Sequence, residues 1–144
     1  SILDIRYLES IREREGGSYG VGVSAALTKE PTNKATLSIQ FDTDPEKQEP
    51  ILAIVYQEIS EIVENGPRSE DLQKVKEIML KNFAENLEEN KWWLSALYNN
   101  YFNGFNLVDE YKKAVKGING TTIQTALKNL VQQGNVIEVT MLPE

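Results

Sequence analysis

The side chains that could take part in chemistry in this sequence are carboxylates, guanidinium groups and phenols, because the chain has no His and no Cys. A zinc site with Cys or His ligands, a disulfide, a Cys nucleophile and a Ser-His-Asp relay are therefore excluded within this chain. Carboxylates could still bind Ca²⁺ or Mg²⁺. Arg and Tyr could still donate hydrogen bonds without exchanging a proton.

Three carboxylates stand at alternate positions, in Asp42, Asp44 and Glu46. A calcium loop starting at Asp42 would need Gly at its sixth position and Glu at its twelfth, where this sequence has Lys47 and Ala53. Nothing in the pattern suggests the burial that would shift a carboxyl pKa for acid–base work. We therefore interpret the segment as a strand end followed by a helix cap and expect no metal site here.

Residues 16–22 (GGSYGVG) are rich in glycine and form a second candidate site, a phosphate-binding loop. A nucleotide-binding loop has a strand before its glycines and a helix after them. In this chain a predicted helix precedes the glycines and a predicted strand follows them. We therefore reject a nucleotide site.

Arg12 and Tyr19 flank the first glycines, Arg12 in the last turn of the predicted helix and Tyr19 at the start of the predicted strand. Taken singly, each has a structural explanation. Arg12 could form a surface pair with Glu9 or Glu15, three residues away on either side. Tyr19 could bury its ring and leave its hydroxyl in water. Neither residue alone predicts a site.

The net charge of −7 lies entirely in the middle of the chain, since residues 42–91 carry thirteen acids and six bases. Charge runs of this kind are usually solvated helix faces, although an acidic wall could also repel anionic peptides or attract basic ones. An acidic chain argues against a nucleic-acid or anionic-membrane surface, and no apolar run is long enough to span a bilayer. The chain starts with Ser1, so we expect a mature segment or a piece of a longer protein.

The elements that would position these side chains begin with a helix and a hairpin. Leu3, Tyr7, Leu8 and Ile11 recur at helical spacing, and Gly16 and Gly17 would end that helix. Strict alternation then predicts strands over 18–28 and 35–42, joined by a turn into an antiparallel hairpin. The glycines on one face of the first strand leave room for something to lie close to the backbone.

Five helices follow the hairpin in the predicted order. The first begins at Asp44 and Pro45, has an irregular start because of Pro50, and stops at Gly66. The remaining starts and stops are a cap at Ser69, a capping box of Thr121 and Gln124, and an end at Gly134. Asn119, Gly120 and Thr121 match a glycosylation sequon, but we favour a helix end and a cap. Residues 136–142 read as a final strand.

Helices grouped together, rather than alternating with strands, indicate an α+β fold in which helices pack on one face of an antiparallel sheet. Three strands make a thin sheet, so we expect at least one more strand before Ser1 and a domain incomplete at its N-terminus. Residues 1–144 are predicted to form a single domain.

Residues 11–21 (IREREGGSYGV) resemble the helix–glycine–strand signature in the C-terminal half of pitrilysin/insulysin-type zinc metallopeptidases, the M16 family with an inverted zinc motif. Weaker matches follow in order along most of the chain. They are DPEK at 44–47, NGP at 65–67 before SEDL at 69–72, Tyr111, and the closing helix at 121–127.

This resemblance implies an α+β unit repeated in N- and C-terminal halves that close around a chamber. The catalytic half of such enzymes carries H-x-x-E-H and a distal Glu, which hold zinc and activate water. This chain has no His, so the resemblance implies that it is not that half and would correspond to the other one. That half lends an Arg and a Tyr to the catalytic centre, and Arg12 and Tyr19 match those positions.

By resemblance, Arg12 and Tyr19 would bind the substrate backbone near the scissile carbonyl and help to stabilise its oxyanion, with Gly17 and Ser18 adding to substrate binding. The expected partners are a peptide substrate and an N-terminal zinc-binding half or a partner subunit, and the expected cofactor is zinc in that half. This chain alone should be inactive. The alternative is a scaffold or assembly subunit of the same fold that has lost its zinc chemistry.

The compartment is not identified by composition. Absence of Cys fits a reducing compartment but does not exclude an oxidising one, because a domain with a large core needs no disulfides. Our expectation for the location is the bacterial cell envelope or periplasm.

Overall fold

A computed structural model describes residues 1–15, 20–28 and 31–141, and for residues 12–15 it describes the backbone alone. The elements in chain order are α1 (Ile2–Glu15), β1 (Val21–Thr28), β2 (Lys34–Phe41), a short 3-10 helix (Pro45–Lys47), α2 (Gln48–Asn65), α3 (Ser69–Asn86), α4 (Asn90–Asn103), α5 (Leu107–Gly117) and α6 (Gly120–Gln132). The α+β class, the first helix and the five later helices are therefore confirmed. None of the helices in these ranges is long and apolar enough to cross a membrane.

The predicted hairpin is confirmed as an antiparallel pair, with β1 and β2 in a continuous register from Val21 opposite Phe41 to Thr28 opposite Lys34. The chain divides into two compact units, the first made of residues 1–67 and 123–144 and the second of residues 68–122. The prediction of a single domain over 1–144 stays a prediction.

The core of the first unit lies where α1 packs on α2 and on β1. Tyr7 and Ile11 of the predicted α1 stripe are buried, but Leu8 is 57% exposed, whereas Arg6 and Ser10 are buried in its place. Along α2, the apolar residues Ile51, Ile54, Val55 and Ile62 are buried, together with a charged residue, Glu58. The apolar pattern therefore located this contact but missed its polar members.

The irregular start predicted for α2 is confirmed, since the 3-10 helix follows Asp44 and α2 itself begins only at Gln48, two residues before Pro50. Gly66 ends α2 with φ of 79°, a backbone conformation that favours glycine. The Gly134 stop is confirmed in the same way, with φ of 69°.

Two predicted caps are wrong. Ser69 is the first residue of α3, and Arg68 holds the cap position. At α6 the side chain of Asn119 accepts hydrogen bonds from the backbone and hydroxyl of Thr122, which replaces the predicted box of Thr121 and Gln124. Gln124 instead donates to the carbonyls of Val63 and Glu64, at 3.0 Å each. It therefore satisfies acceptors at the end of α2 that the helix itself leaves open.

The predicted final strand is wrong for residues 136–141, which form no strand and pair with neither β1 nor β2. Side chains hold this segment instead, because Thr140 accepts from Gln48 at 2.8 Å and Glu138 accepts from the Tyr56 hydroxyl. That bond to Glu138 raises the pKa of Tyr56. Apolar and polar residues do alternate over this segment, but in the described chain it has no backbone hydrogen-bond ladder to a neighbouring strand.

The second unit is built from α3, α4 and α5 around Phe83, which is 3% exposed. The ring of Phe83 stacks on Tyr111 at 4.7 Å between centroids and meets the edge of Trp92 at 5.5 Å. Lys76 of α3 donates to the carbonyls of Lys116 and Ile118 at the end of α5. α4 is rich in aromatic residues, although Tyr101 and Phe102 on it are exposed.

Candidate functional site

The residues predicted to act on a substrate fall at the boundary of what the structure describes. Arg12 lies within α1, whose backbone runs to Glu15. The side chain of Arg12, and Gly17, Ser18 and Tyr19 as a whole, lie outside the described residues. Their roles stay predictions, and the site is built here from the elements on either side, α1 before the glycines and β1 after them.

A buried polar cluster joins α1 to α2. Glu58 of α2 accepts from Arg6 twice, Nε to Oε2 at 2.8 Å and Nη2 to Oε1 at 3.2 Å, and its Oε1 also accepts from the Ser10 hydroxyl. The exposed fractions are 7% for Arg6, 7% for Ser10 and 4% for Glu58. A buried carboxylate is tolerable only when it is paired and hydrogen-bonded, and α1 supplies every one of these donors.

Tyr7 lies beside this cluster with no exposed surface, and its hydroxyl donates to the Val55 carbonyl at 3.3 Å. Burial raises the pKa of the Tyr7 phenol, and the negative charges of Glu58 and Asp4 raise it further. A phenol held protonated in this way is a hydrogen-bond donor rather than a proton-transfer group. Tyr7 therefore contributes to the helix contact and not to acid–base chemistry.

The same helix holds the hairpin. The Asp4 carboxylate of α1 accepts from the Val23 backbone N–H of β1 at 3.1 Å. In an antiparallel ladder the N–H of a residue points either to the partner strand or away from it. Because the Val23 N–H is bonded to Asp4, it points away from β2. The outer edge of β1 is therefore closed at Val23, and an added peptide strand cannot use this amide while Asp4 holds it.

Gly20 and Gly22 leave open space at the start of β1. A Cβ at Gly20 would meet no heavy atom of the described chain within 4 Å, and one at Gly22 would meet only the Gln40 carbonyl oxygen, at 3.9 Å. Neither glycine has a positive φ. Packing within the described chain thus does not demand glycine at either position, and the backbone there is accessible to a neighbouring chain.

A zinc site does not fit the residues present. The chain lacks His and Cys, and over the described ranges no group of three Asp or Glu side chains comes together as metal ligands. What the arrangement can do is hold the helix that carries Arg12. The sequence patterns above do not identify Arg6, Ser10 and Glu58. The available signal is a polar residue three or four positions from apolar ones, Arg6 from Leu3, Ser10 from Tyr7, and Glu58 from Ile54 and Ile62.

Comparison with known proteins agrees with the resemblance. A Zinc protease PQQL-like protein of Arabidopsis thaliana is 27% identical over an alignment of 105 residues that covers 69% of this chain and 11% of that protein. This chain therefore spans about a tenth of the length of that relative. Everything the longer protein does as a whole lies beyond what the alignment covers.

Two solved structures share the fold. The peptidase M16 inactive domain from Pseudomonas fluorescens superposes with a TM-score of 0.64 at 18% identity, over 86% of this chain and 29% of that one. The periplasmic protease PqqL from Escherichia coli gives a TM-score of 0.64 at 14% identity, over 88% of this chain and 15% of that one. At these identities the likeness establishes the fold.

The family is established by sequence. The profile described as the peptidase M16 inactive domain matches residues 3–79, more than half of the 144 residues, and spans α1, the hairpin and α2. The predicted resemblance to the non-zinc part of these peptidases is thereby confirmed. The chain belongs to the peptidase M16 inactive-domain family.

Proposed function

We propose that this chain is the substrate-binding, active-site-completing part of a zinc metalloendopeptidase. Family membership and a relative named as a zinc protease support this proposal. Because the chain has no His or Cys, and no three Asp or Glu side chains come together as metal ligands in the described part of it, we propose that a separate half binds the zinc, on the same polypeptide or on a partner subunit.

Arg12 and Tyr19 are the proposed donors. A guanidinium presents several N–H groups in a rigid fork, and a phenol presents one O–H, so both can meet a carbonyl oxygen without exchanging a proton first. Donors that are already in place when negative charge develops on the scissile carbonyl stabilise the transition state by about 2.7–4 kcal/mol each. The proposed contribution of this chain is therefore orientation and electrostatics.

The anchoring of α1 is the observation that carries the proposal. Donors of this kind work only if their helix does not move when the charge develops. Glu58 holds α1 from the side of α2, and Asp4 of α1 holds β1 at Val23. The two elements that bracket the glycine segment are thus tied to each other and to the core.

The proposed substrate is an extended peptide. Gly17 and Ser18, between the two donors, would bring backbone groups to the substrate. The open backbone at Gly20 and Gly22 would let a peptide chain approach closely. Since Asp4 occupies the Val23 amide, the peptide would lie on this glycine face rather than continue along the outer edge of β1.

The test is peptide hydrolysis by the full-length protein with and without a zinc chelator, followed by Arg12→Ala and Tyr19→Phe. We expect chelation to abolish turnover and Arg12→Ala to lower kcat/KM by roughly 10²-fold or more. Tyr19→Phe removes only the hydroxyl and should lower kcat with little change in folding. Arg14→Ala, the same change two residues further along α1, is the matched control and should cleave normally.

Normal cleavage by both Arg12→Ala and Tyr19→Phe would contradict the donor roles. A full-length protein that binds no zinc and cleaves no peptide would instead favour the scaffold function. A large loss of thermal stability in Arg12→Ala, without any specific loss of kcat, would assign Arg12 to the fold.

The proposed location is the bacterial periplasm. The likeness to the periplasmic protease PqqL supports it through the shared fold. Fractionation of the native host is the test, and recovery of the full-length protein in the cytoplasm would contradict it.

A further inference from the structure

Glu58 is placed to fix the orientation of α1. Both of its carboxylate oxygens are occupied by α1, Oε2 by Arg6 and Oε1 by Arg6 and Ser10. Arg6 and Ser10 are four residues apart and therefore share one face of the helix. One buried carboxylate thus bridges two successive turns of α1.

This arrangement responds sharply to small movements of the helix. Rotation of α1 about its axis would carry Arg6 and Ser10 sideways together, and a one-residue slide would move both by about 1.5 Å. Either movement breaks at least one bond to Glu58, because a fork of N–H groups fits a carboxylate in one plane and over a narrow distance range. Ile11 imposes no comparable direction, and Tyr7 adds a single bond to α2, from its hydroxyl to the Val55 carbonyl at 3.3 Å.

Direct participation of the cluster in catalysis is excluded by burial. The side chains of Arg6 and Glu58 are 9% and 6% exposed, and the bonds of Glu58 are directed at α1. A buried ion pair is also a weak source of stability compared with an apolar pair of similar size. A role in specifying geometry explains these buried charges better than a role in stability.

Arg12 shares this helix, two residues beyond Ser10, with α1 continuing to Glu15. Its backbone position is therefore set by whatever sets the orientation of α1. The Asp4 bond to Val23 also ties the position of β1 to that of α1, and β1 begins just after Tyr19.

We infer that Arg6, Ser10 and Glu58 are positioning residues that hold α1 in the orientation in which Arg12 acts on the bound peptide. The inference rests on the proposed function, because it assigns these residues an effect that passes through Arg12. Turnover would then depend on three further residues, none of which touches the substrate.

The experiment replaces the whole cluster by apolar residues in the full-length protein, with Arg6→Met, Ser10→Ala and Glu58→Leu combined so that no buried polar group is left unpaired. The thermal midpoint should stay close to that of the wild type. We expect kcat to fall by roughly 10²-fold with little change in KM, since a displacement of about 1 Å has that effect on a catalytic group. Lys81→Met with Glu85→Leu, an exposed ion pair, is the control and should leave kcat unchanged.

The triple variant is also made in an Arg12→Ala background. If the cluster acts through Arg12, the three substitutions should cause no further loss of activity in the Arg12→Ala background. A triple variant with wild-type kcat would overturn the inference, and so would an equal loss with and without Arg12. If the triple variant does not fold, Arg6→Lys, which keeps the charge but loses the fork, gives the same two readings. Failure of the proposed function is seen separately, as normal turnover by Arg12→Ala alone.

Discussion

The two units of this chain pack their helices through different kinds of side chain, polar and charged in the first unit and aromatic in the second. In the first unit, α1 and α2 meet through a buried ion pair and a hydroxyl, Arg6 and Ser10 on one helix and Glu58 on the other. In the second, three helices meet through rings, with Phe83 between Trp92 and Tyr111. Phe83 and Glu58 are buried alike, at 3% and 4% exposure.

The difference lies in what each contact specifies. Ring contacts are favourable over a range of offsets and angles, so an aromatic core can adjust to small shifts of its helices. A carboxylate bonded to a guanidinium fork is favourable in one arrangement and costly once a partner is removed. The helix that carries Arg12 is held by the directional kind of contact.

Removal of Arg6 should have the largest effect on stability. Arg6→Ala leaves the Glu58 carboxylate buried without its main partner, and we expect the free energy of unfolding to fall by about 3–5 kcal/mol. Urea denaturation followed by circular dichroism measures this. The triple variant Arg6→Met, Ser10→Ala and Glu58→Leu should recover nearly all of the loss, because it removes the stranded charge and leaves no buried polar group unpaired. A triple variant as unstable as Arg6→Ala would mean that packing, not charge pairing, dominates this contact.

Truncation of Phe83 should have a smaller and more gradual effect. Phe83→Leu keeps an apolar side chain but loses two ring contacts, which corresponds to about 1–3 kcal/mol. Both tryptophans of the chain, Trp92 and Trp93, lie in the second unit, so their fluorescence during urea denaturation reports on this unit. Tyr101→Leu is the matched control, because that ring is 92% exposed and its replacement should stay within about 0.5 kcal/mol.

A loss in Phe83→Leu as large as that in Arg6→Ala would remove the contrast between the two contacts. The contrast would also be removed if enlarging one neighbouring side chain raised the stability of Phe83→Leu above that of the wild type.

Local patterns in the sequence were sufficient for most of the fold. Alternation predicted the hairpin, and glycines with positive φ marked the ends of α2 and α6. These features depend on residues close together in the chain. The final strand failed because a strand also needs a partner, and residues 136–141 have side-chain bonds to α2 in place of a ladder.

Long-range polar contacts were beyond the same reasoning. The sequence predicts Gln124 in the capping box of its own helix, whereas its side chain caps the end of α2, about sixty residues earlier in the chain. The charge run over 42–91 favours solvated helix faces, but Glu58 within it is buried and lies four residues from both Ile54 and Ile62 in the buried stripe. A charged residue inside an apolar stripe signals a buried partner but does not say which one. The roles of Arg12 and Tyr19 came from the resemblance and stay predictions.

The smallest predicted effect concerns Tyr7, at the edge of the polar cluster. Burial raises the pKa of its phenol, so above pH 10 the folded chain keeps a proton that the unfolded chain releases. The free energy of unfolding should therefore fall with rising pH, by up to about 1.4 kcal/mol per pH unit, from pH 10 upward. Tyr7→Phe loses one hydrogen bond, about 0.5–1.5 kcal/mol at pH 7, but lacks this decline. Urea denaturation from pH 7 to 11 should thus show the two curves converge and cross, whereas parallel curves would mean that the Tyr7 phenol is free to ionise in the folded chain.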